Sequence, residues 1–272
     1  MNKVAIIQAR MGSSRLPGKV LLDIAGKPMI QHVIERTRRA RSLDSVTVAT
    51  TTEASDDPVA AFAASLGVPC TRGNLHNVLD RYYRAAQTHN ADVVVRITAD
   101  CPLIDPALVD QAVNSLVAGG YDFVANRLPP PFARTFPIGL DVEVCTFAAL
   151  ARAWREADQT FHHEHVMPFI YEGFTPETGL SARGFKIALL NHNPNHGTQR
   201  WTVDTPEDLE MIRQVFDLLE DKSNFTWYDV LAIIQQHPKL AEINAGVQHK
   251  TMQDTDHRYQ NKNQISPTPR NK

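Results

Sequence analysis

From Gln8 to Lys19 the chain reads Gln-Ala-Arg-Met-Gly-Ser-Ser-Arg-Leu-Pro-Gly-Lys, with two glycines, two serines and three basic side chains in one short stretch. A turn of that kind offers backbone N–H donors for phosphate oxygens together with permanent cations, Arg10, Arg15 and Lys19. A plain Gly/Pro turn has the same composition. The segment is not a P-loop: five residues separate Gly12 from the Gly18-Lys19 pair instead of four, and Val20 stands where a magnesium-binding Ser or Thr belongs. No fingerprint of three spaced glycines for a dinucleotide is present either. Residues 8 to 41 hold eight basic side chains against the acids Asp23 and Glu35, a local excess that suits a small polyanion. Within it, Arg36, Arg38, Arg39 and Arg41 are expected to form a solvated helix face.

Two aspartates stand out by position. Asp100 follows the most strand-like run of the chain and precedes Cys101-Pro102, where a carboxylate at a strand end points into a crevice. Asp204 precedes Thr205-Pro206, a helix start. Two carboxylates plus phosphate oxygens are what Mg²⁺ ordinarily uses, while a helix-cap or turn role is the competing reading for each. The run His162-His163-Glu164-His165 lacks the i, i+4 histidine pair of a zinc helix. It is expected to be a polar helix start facing substrate, with His163 and His165 as weak acceptor contacts. Arg72, Arg81, Arg96 and Arg200 fall in or near strand-end loops, where they could meet an anionic acceptor or simply pair with surface acids.

The elements that must position these groups follow from periodicity. Val4 to Ile7 is a buried strand; Met29, Ile30, Val33, Ile34 and Thr37 recur at helical spacing; Ser45 to Thr51 is strand again, which makes a βαβ unit. Asp57-Pro58 starts a second helix that stops at Gly67, followed by a strand at 68–70. A helix fits Val78 to Thr88, a strand Asp92 to Ile97, and a helix follows the Asp105-Pro106 cap up to Gly119-Gly120. This alternation predicts a parallel sheet covered on both faces, with ligands at the carboxyl ends of its strands. Beyond the proline-rich excursion at 128–132, strands fit 140–145 and 185–190, and helices fit 147–157, 209–219 and the segment after Thr226. From about His249 the sequence is polar and is expected to be a disordered tail.

Composition bounds the rest. At 272 residues with 43% hydrophobic and 21% charged side chains, the chain supports one main domain, taken as 1–248. No apolar run approaches the roughly 20 residues of a membrane span, and the N-terminus lacks a signal peptide's apolar core and cleavage site, so a cytoplasmic protein is expected. A formal net charge of −2 argues against bulk nucleic-acid binding. Cys70, Cys101 and Cys145, odd in number and widely spaced, are expected to be reduced and buried.

Ile7 to Arg10 with Arg15 to Lys19 resembles the CTP-binding signature of the CMP-sugar synthetases, which include CMP-KDO synthetase and acylneuraminate cytidylyltransferase. Ile97–Asp105 (ITADCPLID), Gly139–Val144 (GLDVEV) and Arg200–Leu209 (RWTVDTPEDL) are most similar to the branch named for a spore coat polysaccharide biosynthesis protein. The resemblance covers about residues 1 to 246. It implies a three-layer α/β/α sandwich of the nucleotide-diphospho-sugar transferase type with a mostly parallel central sheet. A homodimer is also implied, with a dimerisation and acceptor-binding insertion at about 127–200. Arg10, Arg15 and Lys19 would bind the CTP phosphates, with the loop backbone at Gln8, Ala9, Gly12 and Ser13 near the nucleotide, and Asp100 and Asp204 would hold Mg²⁺. Lys19, Arg15 and Asp100 would carry catalysis. Where CMP-KDO synthetases read Gln-Gly-Asp-Glu-Pro, this chain reads Thr98-Ala99-Asp100-Cys101-Pro102, and the region 127 to 200 matches less well.

The expected reaction is transfer of CMP from CTP to a small acidic acceptor, a sugar acid in the family's usual form, for surface polysaccharide or glycoconjugate biosynthesis. One rival is a glycosyltransferase of the same sandwich, which would use a nucleotide-sugar donor and often an Asp-x-Asp metal motif. The Arg15/Lys19 loop favours a free triphosphate. The other rival is a nucleotide-binding regulator without catalysis.

Overall fold

Alternation along each strand sorts the side chains of one sheet between two cores. The computed structural model describes residues 1–248; the polar stretch from 249, expected to be disordered, lies outside the described residues. The chain begins with β1 (Lys3–Gln8), then a small hairpin of β2 (Asp23–Ile24) and β3 (Lys27–Pro28), α1 (Met29–Thr37), β4 (Ser45–Thr51), α2 (Asp57–Ser65) and β5 (Cys70–Gly73). It continues through α3 (Val78–Thr88), β6 (Val93–Thr98), α4 (Pro106–Gly119), β7 (Phe123–Ala125), β8 (Glu143–Thr146), α5 (Phe147–Glu156), α6 (Thr160–His165) and α7 (Pro168–Tyr171). The last elements are β9 (Ile187–Leu189), α8 (Pro206–Leu218), α9 (Trp227–Gln236) and α10 (Lys239–Ile243).

Seven strands form one sheet in the order β5-β4-β1-β6-β8-β7-β9. Pairing is parallel except where β8 runs antiparallel to β6 and β7. Ala5, Ile7, Val95, Ile97, Val124 and Val144 face the core closed by α1, α2, α4, α8 and α9. Val4, Ile6, Val94, Phe123, Ala125 and Cys145 face the opposite core, closed by α3, α5 and α7. This is the expected three-layer α/β/α sandwich with a mostly parallel sheet. The segment 127–200 threads through it, because β8 and β9 are sheet strands.

The local signals explain where elements stop and start. Asp105 accepts from Ala107 N at 2.8 Å with Pro106 in the first turn, and Thr205/Asp208 and Thr226/Asp229 form reciprocal capping boxes on α8 and α9. Two strands are shifted from their expected spans. β5 begins at Cys70 because Pro69 has no N–H to give a ladder. β8 begins at Glu143 because the Asn126 side chain replaces the ladder before it, donating to Leu140 O at 2.7 Å and accepting from Val142 N at 2.9 Å.

Arg36 corrects the expectation of a solvated arginine face. Arg38, Arg39 and Arg41 are exposed, but Arg36 is only 3% exposed. It sits in register with Val33 and Thr37 on the buried side of α1. Its guanidinium donates to Ile104 O at 2.6 Å and Phe225 O at 3.1 Å and lies 3.5 Å over the Phe225 ring. A charged donor shared by two loop carbonyls ties α1 to both loops. All three cysteines are free, as expected, and Cys101 and Cys145 are buried; Cys70 departs from the expected burial, because it starts β5, whose residues are all half-buried. Among the described residues, no helix is long and apolar enough to cross a membrane. Arg36→Met should leave two buried carbonyls without a partner and cost roughly 2–4 kcal/mol in urea unfolding, with native-like circular dichroism below the transition.

Candidate active site

The basic loop is shaped by its own carbonyls and by one buried carboxylate. After β1, Met11 O accepts from Ser13 N and Gly18 N, each at 2.9 Å, which folds the loop back on itself. Leu16 N donates to Ser13 Oγ at 3.3 Å. Asp56, at the cap position of α2, turns its carboxylate away from the helix and accepts from Met11 N at 2.7 Å and from the Thr51 hydroxyl. Gly18 closes the loop at φ +70°, a left-handed conformation that suits glycine, and Lys19 opens the next short helical turn.

Lys19 is buried, and its ammonium is saturated. Nζ donates to Asp100 Oδ2 at 2.8 Å, Asp204 Oδ1 at 2.9 Å and Val203 O at 2.7 Å. Asp100 arrives from β6 and Asp204 from the segment before α8. The two are brought together by backbone contacts: Val203 N donates to Asp100 O at 2.9 Å and Thr202 Oγ1 to the same oxygen at 3.1 Å. Arg15 and Arg200 each reach Asp204 Oδ2 at 2.9 Å.

Arg200 is itself fixed by Asp208, which is fully buried. Its Nε and NH2 meet the two Asp208 oxygens at 2.8 Å each. Asp208 also accepts from Asp204 N, Thr205 N and Asn244 Nδ2. Behind this cluster, Ile138 bridges to Arg200 in parallel, and Gly139 (φ +106°) lies so close to Trp201–Thr202 that a Cβ there would come within 2.6 Å of backbone atoms.

Comparison with known proteins gives this arrangement its family. The cytidylyltransferase family model matches residues 4–237. The chain belongs to the cytidylyltransferase family. An uncharacterised protein of Methanocaldococcus jannaschii is 33% identical across 94% of this chain and 100% of its own. The spore coat polysaccharide biosynthesis protein SpsF of Bacillus subtilis is 26% identical across 87% of this chain and 95% of its own. The 3-deoxy-manno-octulosonate cytidylyltransferase of Geobacter sulfurreducens is 45% identical, over 43% of this chain and 46% of its own. Among solved structures, a cytidylyltransferase from Leptospira borgpetersenii superposes with TM-score 0.80 at 30% identity, covering 92% of this chain and 99% of the other.

In this cytidylyltransferase the cluster borders a cleft of about 140 Å³ lined by Arg96, Thr98, Asp100, Cys101, Arg127, Ile138, Asp141, Glu143, Thr202 and Asp204. Burial works to raise the Asp204 carboxyl, but Lys19, Arg15 and Arg200 outweigh it and hold the group well below the usual carboxylate range. Asp208 is held low in the same way by Arg200, the Asp204 backbone N–H and Asn244. Lys19 is raised, because Asp100 and Asp204 together exceed its desolvation. Burial beside Asp100 and Asp141 pushes the Cys101 thiol well up, so it stays protonated and offers no thiolate.

Of the residues singled out from sequence, Arg15, Lys19, Asp100, Asp204 and Arg200 converge on one point, and Arg96 lines the adjoining cleft. Four acceptor candidates do not line it. Arg72 donates to Thr51 O and Glu53 O and pairs with Asp57 at 2.7 Å. Arg81 is buried under Gly73 and holds the carbonyls of Asn74 and Leu75. His163 and His165 sit on α6, which packs on α3 rather than facing the cleft; next to them His162 is fully buried, 3.4 Å from Glu172 and against Phe161 and Phe169. The Asp-x-Asp triplet that a glycosyltransferase would use does occur, at Asp254-Thr255-Asp256, outside the described residues. Asp56, Asp208, Asn244, Arg127 and Glu143 were not legible as site residues. Only the Thr205-x-x-Asp208 capping box signalled one of them.

The electrostatics set a pH dependence. Depressed carboxyls at Asp204 and Asp208 contribute stability above their unfolded pKa of about 4, lost as pH falls through the folded values; the raised Lys19 contributes below about 10.4 and loses its share above that. The cluster's contribution should therefore be flat from about pH 5 to 9. Urea unfolding followed from neutral pH into acid should show stability falling steeply below about pH 4, with a shallower fall for Asp204→Asn.

Proposed function

We propose that this enzyme transfers CMP from CTP to a small acidic acceptor, a sugar acid by preference, and releases pyrophosphate. The observation that carries the reading is the convergence of Lys19 and Arg15 on the Asp100/Asp204 pair at the carboxyl end of β6, beside a cleft that would admit the acceptor. The acceptor class is supported by the Geobacter relative, named for 3-deoxy-manno-octulosonate. A role in surface polysaccharide or glycoconjugate biosynthesis is supported by the name of the Bacillus relative. Assembly as a homodimer through the 127–200 region belongs to the same reading.

The residues present fit a magnesium ion. Two carboxylate oxygens, Asp100 Oδ2 and Asp204 Oδ1, already converge on one cation, the Lys19 ammonium, and both carboxylates are partly open to the cleft. Among the described residues no group of three or more His, Cys, Asp or Glu could hold a metal by itself. That donor set suits Mg²⁺, which keeps waters and takes phosphate oxygens alongside one or two carboxylates. Bound there, it would polarise the phosphates and make the attacking hydroxyl more acidic.

The chain's own residues then have defined tasks. The loop from Gln8 to Lys19, with Arg10, Gly12 and Ser13, cradles the phosphates, and Arg15 and Lys19 balance charge growing on pyrophosphate. As the phosphates enter, Lys19 exchanges its carboxylates for phosphate oxygens. An acceptor oxygen forms the new bond to the α-phosphorus as the bond to pyrophosphate breaks in line, and the hydroxyl proton passes to water. Alignment is the main task, and no covalent intermediate is required.

Lys19→Met should lower CTP-dependent pyrophosphate release about a hundredfold while the circular dichroism spectrum is kept. The same variant, titrated with Mn²⁺ in the absence of nucleotide, should bind it more tightly than the wild type, since no ammonium then competes for the carboxylates. Full turnover in Asp100→Ala would overturn the site assignment. A pyrophosphate-release screen of acidic acceptors against all four nucleotides tests the reaction, with CTP and a sugar acid as the expected pair.

A further inference from the structure

One wall of the cleft carries charge that the transfer of CMP as described leaves unused. Arg96 and Glu143 are paired across β6 and β8, register partners whose side chains form an ion pair. Two residues earlier, Asp141 is gripped at both oxygens by Arg134. Arg127, two residues beyond β7, lies 3.6 Å from an Asp141 oxygen already taken, an ion pair without a hydrogen bond. Arg96, Arg127 and Arg134 thus face Asp141 and Glu143, and one positive charge has no carboxylate of its own. Around Lys19 the opposite holds, with Lys19, Arg15 and Arg200 matched by Asp100, Asp204 and Asp208.

The hydrogen-bond inventory points the same way. The Nε atoms of Arg96 and Arg127 are buried and have no hydrogen-bond partner. Both side chains line the cleft together with Asp100 and Asp204. Buried guanidinium donors ordinarily find acceptors, and two of them beside one uncompensated charge make an anion site.

We infer that Arg127, backed by Arg96, is the docking point for a single carboxylate of the acceptor, and that it selects monoanionic carboxylates over phosphate monoesters. The inference rests on the proposed acidic acceptor and names the group that is recognised. A planar carboxylate matches a guanidinium edge and cancels the one spare charge. A phosphate dianion would leave a net negative charge in a cleft already lined by Asp100, Asp141, Glu143 and Asp204. The cleft is small enough that an acceptor held at Arg127 presents its next atoms to Asp100 and Asp204. Arg127 is therefore a specificity residue, and Glu143 and Arg134 are positioning residues that hold the wall.

The test uses the full chain saturated with CTP and Mg²⁺, so that the phosphate loop is filled. Sodium pyruvate serves as the carboxylate probe, since it has no hydroxyl to react, and methyl phosphate as the dianion probe, at a pH where it is doubly ionised. Ligand-observed NMR titration should show saturable pyruvate binding, weakened about tenfold or more in Arg127→Met and only partly restored in Arg127→Lys, which keeps the charge but not the fork. CTP affinity, measured separately by calorimetry, should stay within about twofold in both variants, which also reports that they are folded. Pyruvate that does not saturate the wild type, that binds Arg127→Met equally well, or that methyl phosphate displaces as an equal competitor overturns the inference. Arg127-dependent pyruvate binding in an enzyme whose acceptor screen yields only uncharged acceptors would instead overturn the acidic-acceptor reading and leave the carboxylate site standing.

Discussion

A buried ammonium has three hydrogens and tolerates none of them unpaired, and Lys19 meets that demand with one acceptor from β6, one backbone carbonyl and one carboxylate from the start of α8. Everything else at the carboxyl end of the sheet answers to that requirement. The loop must turn through Gly18 to deliver the lysine, and Asp56 must hold Met11 to keep the turn in place. Asp100 and Asp204 cannot drift apart, because both are bound to the same nitrogen and because Asp100 O also accepts from Val203 N. Two carboxylates side by side repel; the cation between them makes their proximity favourable in the free enzyme.

Around this centre the structure separates two kinds of polar machinery. The cluster of Lys19, Arg15, Arg200, Asp100, Asp204 and Asp208 is closed, balanced in charge and braced by capping contacts of α8. The wall of Arg96, Arg127, Arg134, Asp141 and Glu143 is built on β6, β8 and the segment between β7 and β8, and it leaves the Nε donors of Arg96 and Arg127 without partners. Because the two groups rest on different segments, the wall can change without disturbing the loop. The Gly139 contact with the backbone at 201 and 202 is the joint between the two.

Much of this was legible in the sequence where local chemistry decides it. The strand–helix alternation, the Asp105-Pro106 and Thr205-Pro206 starts and the glycine stops pointed to a parallel sheet covered on both faces, the family resemblance implied the full sandwich, and strand-end position alone marked Asp100. Residues whose role depends on distant partners were opaque. Arg36 is of a residue type that normally stays at the surface, although its spacing from Met29 and Val33 is that of the buried face, and only the carbonyls of Ile104 and Phe225 make its burial favourable. Arg72 and Arg81 sit at the right end of the sheet but are consumed by nearby carbonyls. Arg127 follows a three-residue strand in an irregular region, and no periodicity reveals that it joins Arg96. The histidine run looked polar, yet His162 packs among aromatic rings.

Asn244 stands after the last described helix and donates both to Asp208 and to Arg200 O. Lys19, near the start of the chain, is 81 positions from Asp100 and 185 from Asp204. During synthesis the loop therefore leaves the ribosome long before its counter-charges exist, and it has to wait as an unpaired basic segment. Contacts this distant in sequence form late and slowly. The last clasp, Asn244, completes the cluster only when almost the whole domain has been made, so a chain interrupted before that point carries the basic loop without the partners that hold its geometry.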